Sequence, residues 1–125
     1  MNIIKVILLV GLGGGMGSIL RYLTALLINK YWANAFPLAT LIINSIGCFI
    51  IGILVSYAAK QPWAGDNFKL FLITGFCGGY TTFSAFAIEN LNLMQGNNNL
   101  MAFLYIGLSV FMGIAAAWLG MYLTK

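Results

Sequence analysis

The sequence predicts an all-α membrane protein with four transmembrane helices, the third of them broken near its centre. Hydrophobic residues make up 62% of the 125 residues and charged residues only 6%, whereas soluble domains carry about 25% charged residues. Four apolar stretches are each long enough to cross a bilayer. The third stretch is interrupted by a segment rich in glycine and threonine, both of which disfavour a continuous helix.

The four predicted spans fill residues 1–125 as a single domain. A membrane-crossing helix needs about 20 mostly apolar residues, and the stretches that meet this length are Ile3–Ile28, Phe36–Ala59, Phe68–Met94 and Leu100–Leu123. The short turns between them carry the Lys, Asn, Pro, Gly and Asp residues typical of water-exposed loops. We therefore expect sequential helices to lie antiparallel. The first apolar stretch exceeds the ~7–15 residues of a signal peptide, so we expect it to be retained as a span.

Composition and charge exclude several function classes. The chain has no His, and its only acids are Asp66 and Glu89, which leaves little material for acid–base catalysis; we expect no enzyme. The six basic residues are scattered along the chain, so no nucleic-acid-binding patch is predicted. Cys48 and Cys77 form no C-x-x-C motif and are interpreted as small core residues.

The distribution of basic residues indicates a weak orientation. Lys5, Lys60, Lys69 and Lys125 fall on one side of the predicted bundle and Lys30 on the other. The positive-inside rule then favours cytoplasmic termini. Because the bias rests on few charges, insertion of some copies in each orientation stays open.

Three polar side chains lie inside the first three spans, where an unpaired polar group is costly. Arg21, past the midpoint of the first span, either snorkels to the interface as a structural residue or attracts anions. Asn44, near the middle of the second span, either forms an interhelical hydrogen bond or donates to a polar pathway. Glu89, in the third span, pairs with a cation such as Arg21 or shapes a hydrated vestibule.

The densest signal is the segment 75–86, GFCGGYTTFSAF, at the centre of the third span. Gly78-Gly79 followed by Thr81-Thr82 predicts a helix break, which exposes backbone carbonyl and N–H groups that lipid cannot satisfy. Carbonyls at the end of a half-helix suit a bare cation. Phe83 and Phe86 either pack in the core or present ring edges, which carry partial positive charge, to a small anion.

In these residues the chain resembles the CrcB/Fluc family of fluoride channels. The resemblance covers nearly all 125 residues, and the order of its elements at this length is specific. The matching elements are Gly14-Gly15-x-Gly17-x-x-x-Arg21-Tyr22, Asn44-x-x-Gly47-x-Phe49-x-x-Gly52 and Gly75-x-x-Gly78-Gly79-x-Thr81-Thr82-Phe83-Ser84-x-Phe86.

The resemblance implies a dual-topology homodimer of two antiparallel copies in the membrane lipid, with two fluoride pores at their interface. It implies a bacterial inner (plasma) membrane location and a central structural sodium ion held by backbone carbonyls of Gly78 and Thr81. The fluoride pathway it implies comprises Asn44, Phe83, Phe86, Ser84, Tyr105 and Ser109, and Arg21 matches a first-span arginine.

The chain departs from the family pattern in three places. Ala85 stands where many members carry Thr, and Gly113 and Ala117 continue the Tyr105–Ser109 stripe without hydroxyls. Tyr80 is bulkier than the Leu expected there. The alternative functions are a small multidrug-type four-helix dimeric transporter, although this first span lacks the carboxylate that proton-coupled export uses in that class, and a structural membrane subunit.

Overall fold

The computed structural model describes residues 2–125, and within them the chain forms five helical segments. They are α1 (Ile3–Tyr31), α2 (Leu38–Lys60), α3 (residues 66–80), α4 (Ser84–Gln95) and α5 (Asn99–Leu123). Taken as one stretch, α3 and α4 cover Asp66–Gln95, and the four resulting stretches are each long and apolar enough to cross a membrane. The observed bounds differ from the predicted ones by up to three residues, most at the end of α1, which continues to Tyr31.

The third span is broken, as predicted, but the break lies later than the glycine pair. Gly78–Tyr80 is still helical, and Thr81 is the first extended residue, with φ −83° and ψ 159°. The central part of α3, Lys69–Cys77, has π-helical hydrogen bonding. The chain then resumes an α-helix at Ser84. The break therefore lies at the threonine pair of the predicted segment and not at its glycine pair.

One member of this helical glycine pair, Gly79, allows close packing between two helices. A Cβ atom on Gly79 would overlap the backbone of Gly14 in α1. Gly13 and Gly17 of α1 contact the backbone of α3 in the same way, at Phe71 and Phe76. Missing side chains let helix backbones approach each other in lipid, so α1 and α3 form one tightly packed pair.

The second tight pair is α2 with α5, which contact each other extensively. Here a Cβ on Gly52 would overlap the Ala117 carbonyl, and one on Gly120 would overlap the Phe49 carbonyl. The second half of the broken span, α4, packs mainly against α5. The break between α3 and α4 therefore lies where the two helix pairs meet.

Candidate functional site

A cavity of about 530 Å³ opens beside the break, between α2, α3, α4 and α5. Six of the nine residues predicted for the site line this cavity: Asn44, Gly78, Thr81, Phe83, Phe86 and Ser109. The other three do not line it. Ser84 contacts Thr82, Tyr105 contacts Phe86, and Arg21 contacts Gly79. The break thus brings residues from three spans to one cavity.

Asn44 holds the broken backbone through both ends of its side-chain amide. Its Nδ2 donates to the Thr82 carbonyl at 2.9 Å, and its Oδ1 accepts from the Thr82 N–H at 2.8 Å. Thr82 lies outside any helix and would otherwise leave both groups unpaired in the membrane interior. Asn44 thus links the second span to the break in the third, and its amide retains a second N–H.

The Thr82 side chain also contacts the first turn of the second half-helix, α4. Its hydroxyl accepts a hydrogen bond from the Ala85 N–H at 3.2 Å and lies 3.3 Å from the Ser84 hydroxyl. A hydroxyl that accepts from a free N–H in the first turn is a helix cap. Ser84 therefore belongs to this capped turn, on the exposed side of a single copy.

Two phenylalanines on the cavity wall and a buried tyrosine behind them form a row of rings. Phe83 is 78% exposed, and its ring centroid lies 5.6 Å from that of Phe86. The Phe86 ring lies 5.1 Å from that of Tyr105, which is completely buried. Phe83 is thus a large apolar side chain that a single copy of the chain leaves uncovered.

Among the described residues, the break leaves three backbone carbonyls without a donor, those of Gly78, Tyr80 and Thr81. Within residues 2–125, no hydrogen bond reaches the carbonyl oxygen of Gly78 or of Thr81. Gly78 faces open space, since a Cβ there would meet nothing within 4 Å. Carbonyl oxygens are ligands for hard cations, so the Gly78 and Thr81 oxygens fit the ion that the resemblance implies.

Two side chains of α1 donate hydrogen bonds to the neighbouring carbonyl, that of Gly79. Arg21 Nε donates to it at 3.1 Å and the Ser18 hydroxyl at 3.4 Å. A positively charged guanidinium at the carboxyl end of a half-helix interacts favourably with the negative end of the helix dipole. This contact holds the guanidinium at the end of α3, and the two roles considered for Arg21 stay predictions.

The Ser109 hydroxyl differs from the Ser18 and Thr82 hydroxyls in having no hydrogen-bond partner within the described chain. Its oxygen is buried, and among residues 2–125 it has no hydrogen-bond partner. A buried hydroxyl without a partner is costly unless a water or ligand satisfies it. Because Ser109 lines the cavity, it is a free donor beside Asn44 and Phe86.

Comparisons with known proteins show the family of the chain. A sequence profile described as "CrcB-like protein, Camphor Resistance (CrcB)" matches residues 8–121. The chain belongs to the CrcB family. It is 54% identical over 121 residues to the fluoride-specific ion channel FluC of Flavobacterium psychrophilum, with 97% of this chain and 98% of that one covered.

Other CrcB relatives match over nearly their whole length. The fluoride-specific ion channel FluC of Azobacteroides pseudotrichonymphae is 48% identical, with 98% of each chain covered. The fluoride-specific ion channel FluC 1 of Listeria monocytogenes is 45% identical, with 93% of this chain and 94% of that one covered. These CrcB relatives are ion channels and not enzymes. With its four candidate spans, the chain is a multi-pass membrane protein.

The hydrogen-bond partners of two side chains in this CrcB chain, Glu89 and Tyr80, were not predicted from sequence. Glu89 accepts hydrogen bonds from the Thr40 hydroxyl at 2.7 Å and the Tyr105 hydroxyl at 3.0 Å, so its partners are hydroxyls rather than the cations considered above. The Tyr80 hydroxyl donates to Thr24 at 3.3 Å. Polar residues spaced three or four apart along α1 (Ser18, Arg21, Thr24) and α2 (Thr40, Asn44) were the available signal, but spacing does not identify the partner helix.

Proposed function

We propose that the protein is a fluoride-selective channel that lets cytoplasmic fluoride leave passively across the bacterial inner (plasma) membrane. The observation that carries the proposal is the cavity beside the break, where Asn44, Phe83 and Ser109 meet. It is supported by 54% identity to a fluoride-specific ion channel over nearly the whole chain.

The cavity offers donors suited to a small anion that must lose its water. An anion in a low-dielectric medium needs substitute hydrogen-bond donors. Asn44 has a spare N–H, and the Ser109 hydroxyl is buried without a partner. The ring edges of Phe83 and Phe86 add weak positive potential. Several weak sites let an ion enter and leave, whereas one strong site would trap it.

We infer that two copies in opposite orientations complete the site. A single copy exposes Phe83 and Ser84 near the membrane centre, and lipid does not satisfy the polar backbone beside them. A second, inverted copy would cover this face and form two equivalent pores at the interface. The limited packing of α4 within one copy supports this arrangement.

The free carbonyls of Gly78 and Thr81 would hold a structural sodium ion between the two copies. Each copy contributes two oxygens, so the pair supplies four, which suits a hard cation. When bound, the ion supplies fixed positive charge close to the anion path. Arg21 and Asn44 keep the flanking carbonyls of Gly79 and Thr82 occupied, whereas the Gly78 and Thr81 oxygens stay available for the ion.

Fluoride efflux from liposomes tests the proposal. Purified protein is reconstituted into vesicles loaded with potassium fluoride, valinomycin is added, and a fluoride electrode follows release; matched vesicles hold potassium chloride. We expect fluoride release without a proton gradient and chloride release no faster than from protein-free vesicles. Transport that requires a proton gradient would favour the multidrug-type alternative, and the absence of fluoride permeability would favour a structural subunit.

A further inference from the structure

Tyr80 is the last helical residue before the break, and its side chain is fixed on three sides. The residue is 4% exposed, and its ring stacks on Phe76 with a centroid distance of 6.2 Å and an interplanar angle of 3°. Its Cδ2 lies 3.3 Å from where a Cβ on Gly47 of α2 would stand. The ring therefore fills the space between α3 and α2 at the level of the break.

The Tyr80 hydroxyl is fixed by α1. It donates to Thr24 Oγ1 at 3.3 Å, while Thr24 Oγ1 donates to the Leu20 carbonyl at 2.7 Å. The Thr24 hydrogen is thus already used, which leaves its oxygen to accept from Tyr80. This hydrogen bond joins α1 to the end of α3 across 56 residues of sequence.

The contact lies on the same helix that caps Gly79. Ser18, Arg21 and Thr24 recur at every third position of α1, so they share one face of the helix. The first two hold the carbonyl of Gly79, and the third holds the side chain of the next residue. From the other side, Asn44 holds Thr82. Between these contacts, Thr81 has only its carbonyl oxygen left free.

We propose that Tyr80 is a positioning residue for the sodium site: its hydroxyl, held by Thr24, sets the orientation of the Gly78 and Thr81 carbonyls and thereby the sodium affinity. The inference rests on the sodium site proposed above. The leucine expected at this position would fill the same space between α2 and α3, but it has no hydroxyl to bind Thr24. The hydroxyl is therefore a feature of this chain that packing alone does not require.

The test is the thermal unfolding of the full-length protein over a sodium titration, with N-methylglucamine keeping ionic strength constant. Tyr80→Phe keeps the ring and removes the hydroxyl. We expect the half-saturating sodium concentration to rise about 3- to 10-fold, as for the loss of one hydrogen bond. Thr24→Val should cause the same rise, and Thr24→Ser should keep the wild-type value. The double variant should exceed neither single variant, because both remove one interaction.

Tyr22→Phe is the matched control, since Tyr22 is a tyrosine on α1 that is 64% exposed in a single copy; no shift is expected there. An equal fall in unfolding temperature at every sodium concentration would make the Tyr80 hydroxyl purely structural and overturn the inference. A wild-type protein that responds to sodium, with unchanged half-saturation in Tyr80→Phe or Thr24→Val, would also overturn it and leave the sodium site intact. A wild-type protein indifferent to sodium would overturn both.

Discussion

Asn44 and Thr82 are joined by a pair of hydrogen bonds in which one side-chain amide binds both backbone groups of a single residue, at 2.9 and 2.8 Å. The pair replaces the hydrogen bonds that the third span loses where its helix stops. It also fixes Thr82 beside the cavity that Phe83 and Ser109 line. One amide therefore stabilises the break and faces the proposed anion path.

Replacing Asn44 by Asp removes the donor half of this pair and places a carboxylate oxygen against the Thr82 carbonyl. We expect the free energy of unfolding to fall by about 1–3 kcal/mol, the cost of leaving a buried polar group unpaired. Fluoride efflux should be suppressed because the new charge repels the anion. Asn67→Asp, in the exposed first turn of α3, is the control and should leave stability and efflux unchanged. Robust efflux through Asn44→Asp would assign Asn44 to packing alone.

Phe83→Ile tests the aromatic wall. Because Phe83 is 78% exposed in a single copy, its replacement should change the stability of the folded chain by no more than about 0.5 kcal/mol. Efflux should nevertheless stop, since an aliphatic side chain has no positive ring edge. Size-exclusion chromatography should show the same dimer as the wild type. Phe103→Ile is the control, because Phe103 is 66% exposed in a single copy; this variant should conduct normally. Unchanged flux in Phe83→Ile would remove the Phe83 ring from the path.

Gly79→Ala tests the packing of α3 on α1. A Cβ at this position overlaps the Gly14 backbone, and overpacking of this kind costs about 1–3 kcal/mol. Gly15→Ala is the matched control, because a Cβ on Gly15 meets nothing within 4 Å. An added methyl there should be neutral or stabilise the helix by about 0.5–1 kcal/mol. Chemical unfolding in detergent compares the two, and equal stabilities would contradict the close approach of the helices.

Hydropathy and poor helix propensity predicted the span count and the break, since both are local properties, whereas the site residues were implied by the resemblance, and six of those nine line the cavity. The sequence did not predict that Gly79 would be helical, because a glycine needed for close approach and a glycine needed for backbone freedom look alike in sequence. The partners of Glu89 were also open, because the hydroxyls of Thr40 and Tyr105 come from two other helices. Spacing along one helix does not determine which neighbour it faces.

Removing sodium should lower the thermal stability of the dimer. A ligand that binds only the folded state stabilises it in proportion to the logarithm of its concentration once binding saturates. We therefore expect the unfolding temperature to rise with sodium, and not with N-methylglucamine at the same ionic strength. Fluoride efflux should fall in parallel when sodium is absent from both sides. Indifference of both readouts to sodium would remove Gly78 and Thr81 as ligands.

The central claim is that two inverted copies meet at their broken third spans, and counting labels per dimer tests it most directly. A Lys125→Cys variant in a Cys48→Ala/Cys77→Ala background, first checked for fluoride efflux, is reconstituted in sealed vesicles. It is then treated with a membrane-impermeant maleimide. Native mass spectrometry should find one label on every dimer, rising to two after the vesicles are permeabilised. A mixture of dimers with two labels and dimers with none would mean that the copies lie parallel, and would contradict the account.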